Sequence, residues 1–430
     1  MRFAGTKSTK KRVHASCPAP RLGSTKLRFG STKLAATAVR GALTLAVFSA
    51  LLIAARPAQA QTETVLYNFS AGPSYGGPTG SLTFHRGNLY GTTTWLGQQS
   101  VGSVFQLSPN GLGGWNETTL YSFTGNADGG YPLFSHVIFD RTGNIYGTAS
   151  SGGATGNGVV FELSSVGGSW KETVLYSFTG GTYNYSPVNG LIMDGAGNLY
   201  GTTANFNGGE VFELIPSSGG WTEKVLNSFS SYINGPRSGL AMNAAGNIFG
   251  VGELPDHDST VFELSRNAIG GWKKTVLYAF TQAQGALSIN STLALDQSGN
   301  LYGTSGSGGN QNSGTVFELS PAKNGPWTYT LLYSFSGLQD GGLPFGGVTF
   351  DAAGNIYGST ETGGLNGYGT VFELTPAGNG TYTEKVLWSF NSTDGATSLS
   401  GVILDSAGNL YGTARDGGAN NEGVVFEVTP

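Results

Sequence analysis

The residues of this chain best suited to chemistry are carboxylates, and most of them recur at fixed intervals. Val-Phe-Glu-Leu phrases carry Glu162, Glu213, Glu263, Glu318 and Glu373, and a Val-Phe-Glu-Val variant carries Glu427. Two such acids could serve as general acid and base. One acid per repeat is more than an active site uses, and alternation along a strand puts Phe and Leu on one side and Glu on the other. Hydrogen bonding to a neighbouring strand is the expected role. A second series, Asp140, Asp194, Asp296, Asp351 and Asp405, stands three residues before a glycine, where a carboxylate accepts backbone N–H bonds within a turn. Asn243 takes this place in one unit, and the turn shortens around His85-Arg86 in another. The recurring Trp115, Trp170, Trp221, Trp272 and Trp327 could stack on sugars, but repetition favours packing on a sheet edge.

Residues outside the recurring phrases are the better functional candidates. Asp256-His257-Asp258 is the one run resembling metal ligands, although three adjacent side chains seldom face one ion. Asp128, Tyr131, Tyr183, Tyr185, Arg237, Asp340, Glu361, Tyr368, Asp394 and Asp416 fall in the irregular connections and form the candidate ligand face. Neither a Gly-x-Ser-x-Gly elbow nor a phosphate loop, a His-Glu-x-x-His motif or a zinc spacing occurs beyond residue 60. His85, His136 and His257 fall in different units. No catalytic residue and no cofactor is expected.

The elements that must position these groups are short. Gly-Asn-(Leu/Ile)-(Tyr/Phe)-Gly begins at Gly87, Gly143, Gly197, Gly246, Gly299, Gly354 and Gly408, at intervals of 56, 54, 49, 53, 55 and 54 residues. Residues 137–178 show one unit: four runs of four to seven residues rich in Val, Ile, Tyr, Phe and Thr, bounded by Gly, Ser or Asn. None has helical length or period. They read as strands A, B, C and D of an antiparallel meander, seven times over. The region after residue 60 opens with a lone strand D (residues 64–69) and closes with A, B and C (residues 401–428). An open solenoid would leave both ends unpaired, whereas a ring lets the first strand complete the last sheet. The fold predicted is all-β, a seven-bladed β-propeller closed by strand exchange. The A–B and C–D turns lie on one face, and the B–C and D–A connections on the other.

Charge divides the chain. Residues 1–60 hold 11 of the 22 Lys and Arg and no acid, leaving 11 basic and 26 acidic groups, a formal −15, in residues 61–430. Such a domain repels phosphate backbones, so nucleic acid is not an expected partner. Residues 41–55 are an unbroken apolar run too short to span a bilayer comfortably, followed by Ala58-Gln59-Ala60. This reads as a signal peptide cleaved after Ala60, with an organelle transit peptide as the rival reading. The single cysteine, Cys17, falls in that segment, so residues 61–430 use no disulfide.

The pattern Asp-x-x-Gly-Asn-(Leu/Ile)-Tyr-Gly-Thr, then Gly-Thr-Val-Phe-Glu-Leu, Gly-Trp and Leu-Tyr-Ser-Phe, resembles the GloVer tandem repeat of exported bacterial proteins over residues 62–430. Its core is also similar to NHL-type propeller repeats. The resemblance implies an extracytoplasmic propeller, secreted or periplasmic, and supplies no catalytic residues. The family carries varied C-terminal anchors; residues 401–430 read as strands A to C alone, so surface tethering is not expected. The expectation is a monomeric, exported, non-enzymatic propeller whose loop face binds a glycan, peptide or extracellular protein. The alternatives are a carbohydrate-active hydrolase or lyase using loop-face acids, and a structural surface or matrix component.

Overall fold

A computed structural model describes residues 61–70, 76–180, 186–205, 208–229, 235–236, 238–253, 259–285, 292–323, 325–378 and 380–430. These form seven four-stranded antiparallel sheets, each ordered A-B-C-D, with one short 3₁₀ turn at Gln282–Gln284. Blade 2 is typical: A is Ile138–Phe139, B is Ile145–Ala149, C is Val159–Val166 and D is Ser169–Ser177. The seventh sheet joins Ile403–Leu404, Leu410–Ala414 and Val424–Thr429 to the N-terminal strand Thr62–Asn68. Thr62 pairs with Thr429 and Asn68 with Val424, so the predicted strand exchange closes the ring.

Each recurring phrase has a definite task. Asp140 Oδ1 accepts the backbone N–H groups of Thr142, Gly143 and Asn144 at 2.8–2.9 Å. Its Oδ2 accepts from Asn144 Nδ2 at 3.0 Å and Tyr146 Oη at 3.2 Å. Burial alone would raise this carboxyl; the bonds from Thr142, Asn144 and Gly143 outweigh it and hold the group below its ordinary range. The strand C acids are also structural, with Glu213, Glu373 and Glu427 accepting from Tyr200, Tyr357 and Tyr411 of the adjacent strand B. Three of the tryptophans lie edge-on to aromatics of the preceding blade: Trp115 to Tyr411, Trp221 to Tyr146 and Trp272 to Tyr200.

The core is seven layers between blades. The last Phe of each strand D sits on the strand C Phe of the next blade, with centroids 4.9–5.2 Å apart: Phe69 on Phe105, Phe123 on Phe161, Phe178 on Phe212, Phe229 on Phe262, Phe280 on Phe317, Phe335 on Phe372 and Phe390 on Phe426. The strand C ring needs room, and the strand B glycine supplies it. A Cβ on Gly91, Gly147, Gly201, Gly250, Gly303 or Gly358 would lie 2.5–2.7 Å from the Phe Cζ of its own blade.

The threonine after that glycine clasps the next blade at the axis. Thr92, Thr148, Thr202, Thr304, Ser359 and Thr413 donate to the carbonyls of Ser135, Asn189, Ser238, Gly346, Ser400 and Gly80 at 2.6–3.3 Å. The bond from Thr413 to Gly80 closes this circle between the last blade and the first. Val251 holds the same place in blade 4 and has no hydroxyl to give.

Candidate functional site

Strand A enters and strand B leaves beside the axis on the face of the long connections. There the inner edges enclose a cavity of about 570 Å³, of a size suited to a small ligand. Leu133, Phe134, Val188, Phe345 and Leu399 supply apolar surface, while Thr79, His136, Asn189, Thr292 and Arg415 supply polar groups. Phe134 is 39% exposed. Among the described residues, the lining contains no carboxylate.

The lining residues occupy equivalent places in different blades. One step before the buried apolar residue of strand A stand Ser81, His136, Gly190, Gly239, Thr292, Gly347 and Gly401. Two steps earlier come Thr79, Phe134, Val188, Phe345 and Leu399. Inner edges touch here, so His136 rests its ring against Gly190, where a Cβ would collide with the imidazole. His136 Nε2 lies 3.1 Å from the Leu191 carbonyl, which fixes the proton on Nε2. Burial lowers its pKa, partly offset by that backbone bond, and the ring stands neutral.

At the rim, the residue following strand B carries the charge. Arg415 donates from Nε and Nη2 to Asp416 Oδ2 at 3.0 and 2.7 Å. Glu361 holds the same place in blade 6. Burial raises its carboxyl, Arg415 pulls it down and Asp416 pushes it up again. Left-handed backbone sets these residues. Tyr131, Leu343 and Thr397 have φ of 53°, 55° and 58°, and their carbonyls accept the N–H groups of Ser150, Glu361 and Arg415. Non-glycine residues held in that region cost on the order of 1–3 kcal/mol each, a strain that tends to gather at functional sites. Three blades repeat it around this rim.

The sequence candidates divide on this geometry. Asp416 pairs with Arg415, and Glu361 lies within electrostatic reach of both. Tyr131 lies edge-on to Trp95 with centroids 6.4 Å apart. Tyr368 is half-exposed and its carbonyl accepts Thr397 N–H at 3.3 Å. Asp128, Asp340 and Asp394 do not gather; each staples its own D–A connection. Asp128 accepts from Tyr121 Oη at 2.9 Å and Thr124 N at 2.8 Å, and Asp340 from Tyr333 Oη at 3.0 Å and Ser336 N at 2.8 Å. Asp394 accepts from Trp388 Nε1 and Asn391. Tyr183, Tyr185, Arg237 and the Asp256-His257-Asp258 run lie outside the described residues. Among the described residues, no three His, Cys, Asp or Glu groups come together to hold a metal ion. Phe134, His136, Phe345 and Arg415 were not singled out by motif. Aligning the seven units column by column would have marked His136 as the one large residue in a column of Ser, Thr and Gly, and the columns of Phe134, Phe345 and Arg415 as ones that do not repeat.

Fold and site together define a seven-bladed β-propeller with an axial cavity. The model of the Gloeobacter/Verrucomicrobia repeat matches residues 53–256 and 252–430, and the chain belongs to that family. No curated protein matches the sequence. Among solved structures, the chain is similar to a puromycin hydrolase at 10% identity and a TM-score of 0.51. That match covers 79% of this chain and 50% of the other, so the chain spans about half the length of that enzyme. It is also similar to a protein from Lactobacillus plantarum (13% identity, TM-score 0.47, covering 73% and 85% of the two chains). A polysaccharide lyase, an ulvan lyase, is similar at 11% identity and a TM-score of 0.46, over 82% and 94%. At these identities the likeness is one of fold. No helix among the described residues is long and apolar enough to cross a membrane.

Proposed function

We propose that this is an exported, non-enzymatic propeller that binds the end of a neutral glycan in its axial cavity. The observation that carries the reading is the cavity wall: exposed Phe134 beside neutral His136, hydroxyls of Thr79 and Thr292, and no carboxylate among the described residues. An apolar wall with a few convergent polar groups suits a ligand that is amphiphilic and uncharged. Arg415 adds little net charge because Asp416 and Glu361 answer it. An anionic ligand would meet those acids, and a domain of formal −15 would repel it on approach. The apolar run and Ala58-Gln59-Ala60 support export.

Calorimetric titration of residues 61–430 with a panel of neutral oligosaccharides tests this reading. Binding is expected without product formation, and Phe134→Ala should weaken it at least ~10-fold, the loss of one aromatic contact. Binding unaffected by Phe134→Ala would sink it, as would affinity only for peptides. A second reading has one observation of its own. Glu361, raised by burial, stands with Asp416 beside Arg415, an arrangement able to offer an acid and a base. Released sugars in the same incubations, abolished by Glu361→Gln, would favour hydrolysis.

A further inference from the structure

The outer part of the seams carries a feature that the axial site does not use. Near the start of each strand D one column reads Glu63, Glu117, Glu172, Glu223, Lys274, Tyr329 and Glu384. In three seams this glutamate lies within electrostatic reach of the staple aspartate of the preceding blade's D–A connection: Glu172 of Asp128, Glu384 of Asp340 and Glu63 of Asp394.

The two carboxyls of each pair are served unequally. Both oxygens of Asp128, Asp340 and Asp394 accept hydrogen bonds. The same atom of each glutamate, Oε1 of Glu63, Glu172 and Glu384, is buried and has no hydrogen-bond partner. A buried carboxylate oxygen beside a second carboxylate and without a donor is costly, and a proton on the glutamate relieves both problems. The staple aspartate is the charged group facing each glutamate. Tyr121 and Tyr333 are the other titratable neighbours in two of the seams, and their hydroxyls are committed to the aspartates.

The seam between blades 4 and 5 supports the pairing by changing both members. Gln284 takes the staple position, donating to Tyr278 Oη at 2.8 Å, and the facing strand carries Tyr329, stacked on Tyr278 at 5.4 Å. In that seam neither the connection nor the strand carries an acid, and where the connection alone lacks one, Glu117 and Glu223 are instead hydrogen-bonded by Tyr67 and Tyr176.

We propose that the seams 1/2, 5/6 and 6/7 each hold one proton on the strand D glutamate, so that the ring is tightest in acid and loosens as the surroundings turn alkaline. Glu63 lies on Thr62–Asn68, the strand that closes the ring, so the 6/7 seam couples this proton to closure itself. Burial first, then the neighbouring aspartate, pushes Glu172 and Glu384 up to about 7 and Glu63 up to about 8. These values exceed that of an unfolded glutamate. The stabilisation is therefore complete below about pH 4.5 and is lost as pH rises through 7 to 8.

The test compares residues 61–430 with the triple variant Glu63→Gln, Glu172→Gln, Glu384→Gln, whose amides keep the shape and cannot ionise. Potentiometric titration of the folded proteins between pH 5.5 and 9 should show roughly three more protons released by the wild type, one per seam. Its melting temperature should fall by on the order of 5 °C from pH 5 to pH 8, and the variant's should stay flatter. Single variants keep the test open if the triple one does not fold, each removing about one proton. Superimposable titrations, or equal pH slopes of melting, would overturn the proposal. So would calcium chloride stabilising the wild type at pH 8 but not the variant, which would make the occupant a cation.

Discussion

The seams between blades and the mouth of the axial cavity are built by opposite rules. At the seams the seven repeats act as copies: one Phe pair each, one glycine seat and, in six of seven, one hydroxyl clasp. At the mouth one equivalent position carries Thr79, Phe134, Val188, Phe345 and Leu399 among the described residues, with no common side chain. Circular packing demands equal wedges, so the residues that set blade spacing cannot vary freely. The residues lining the axial cavity do not set that spacing, and are free to differ. Repetition therefore marks structure, and departure from it marks the surface open to specificity.

This contrast can be broken from either side. The largest effect is expected from Phe335→Ala, which empties a seam position buried completely between Phe372 and its own blade. A loss of roughly 3–5 kcal/mol should appear in denaturant unfolding. Gly303→Ala comes next, because the new methyl would lie 2.6 Å from Phe317 Cζ. Forcing that ring aside should cost about 1–3 kcal/mol by the same measurement. Thr413→Val removes the clasp to Gly80 and leaves its carbonyl without that donor, for about 1 kcal/mol. Smallest in stability is Phe134→Ala, whose ring is already part-exposed; unfolding should shift by less than about 1 kcal/mol while glycan binding is lost. A Phe134→Ala variant as unstable as Phe335→Ala would erase the distinction between seam and mouth.

The ring was legible in sequence because its elements are short, alternating and regularly punctuated, and because strand D stands apart from A–C at the termini. The turn role of Asp140 and its equivalents was also legible, since carboxylate and glycine stand at a fixed local spacing. The Thr148 clasp was not: its partner, Asn189, is 41 residues away and accepts through a carbonyl, which has no sequence signature. Asp128 and Asp340 looked like irregular loop acids because the D–A connections differ in length. Yet Tyr-Ser-Phe-Thr-Gly-Asn-Ala-Asp-Gly-Gly and Tyr-Ser-Phe-Ser-Gly-Leu-Gln-Asp-Gly-Gly place each Asp seven residues after the tyrosine it accepts from. The axial wall was hidden for another reason. His136 and Arg415 lie 279 positions apart, and only the closed ring brings both to one cavity.

The most direct test of the central claim, that function resides at the unrepeated axial mouth, is a crystal structure of residues 61–430 grown with the tightest-binding neutral oligosaccharide. The account predicts one sugar end in the cavity, with a ring face against Phe134 and hydroxyls within hydrogen-bond distance of His136, Thr79 or Arg415. A sugar seated instead on the repeated tryptophans or over the outer seams, with the axial cavity empty, would contradict it.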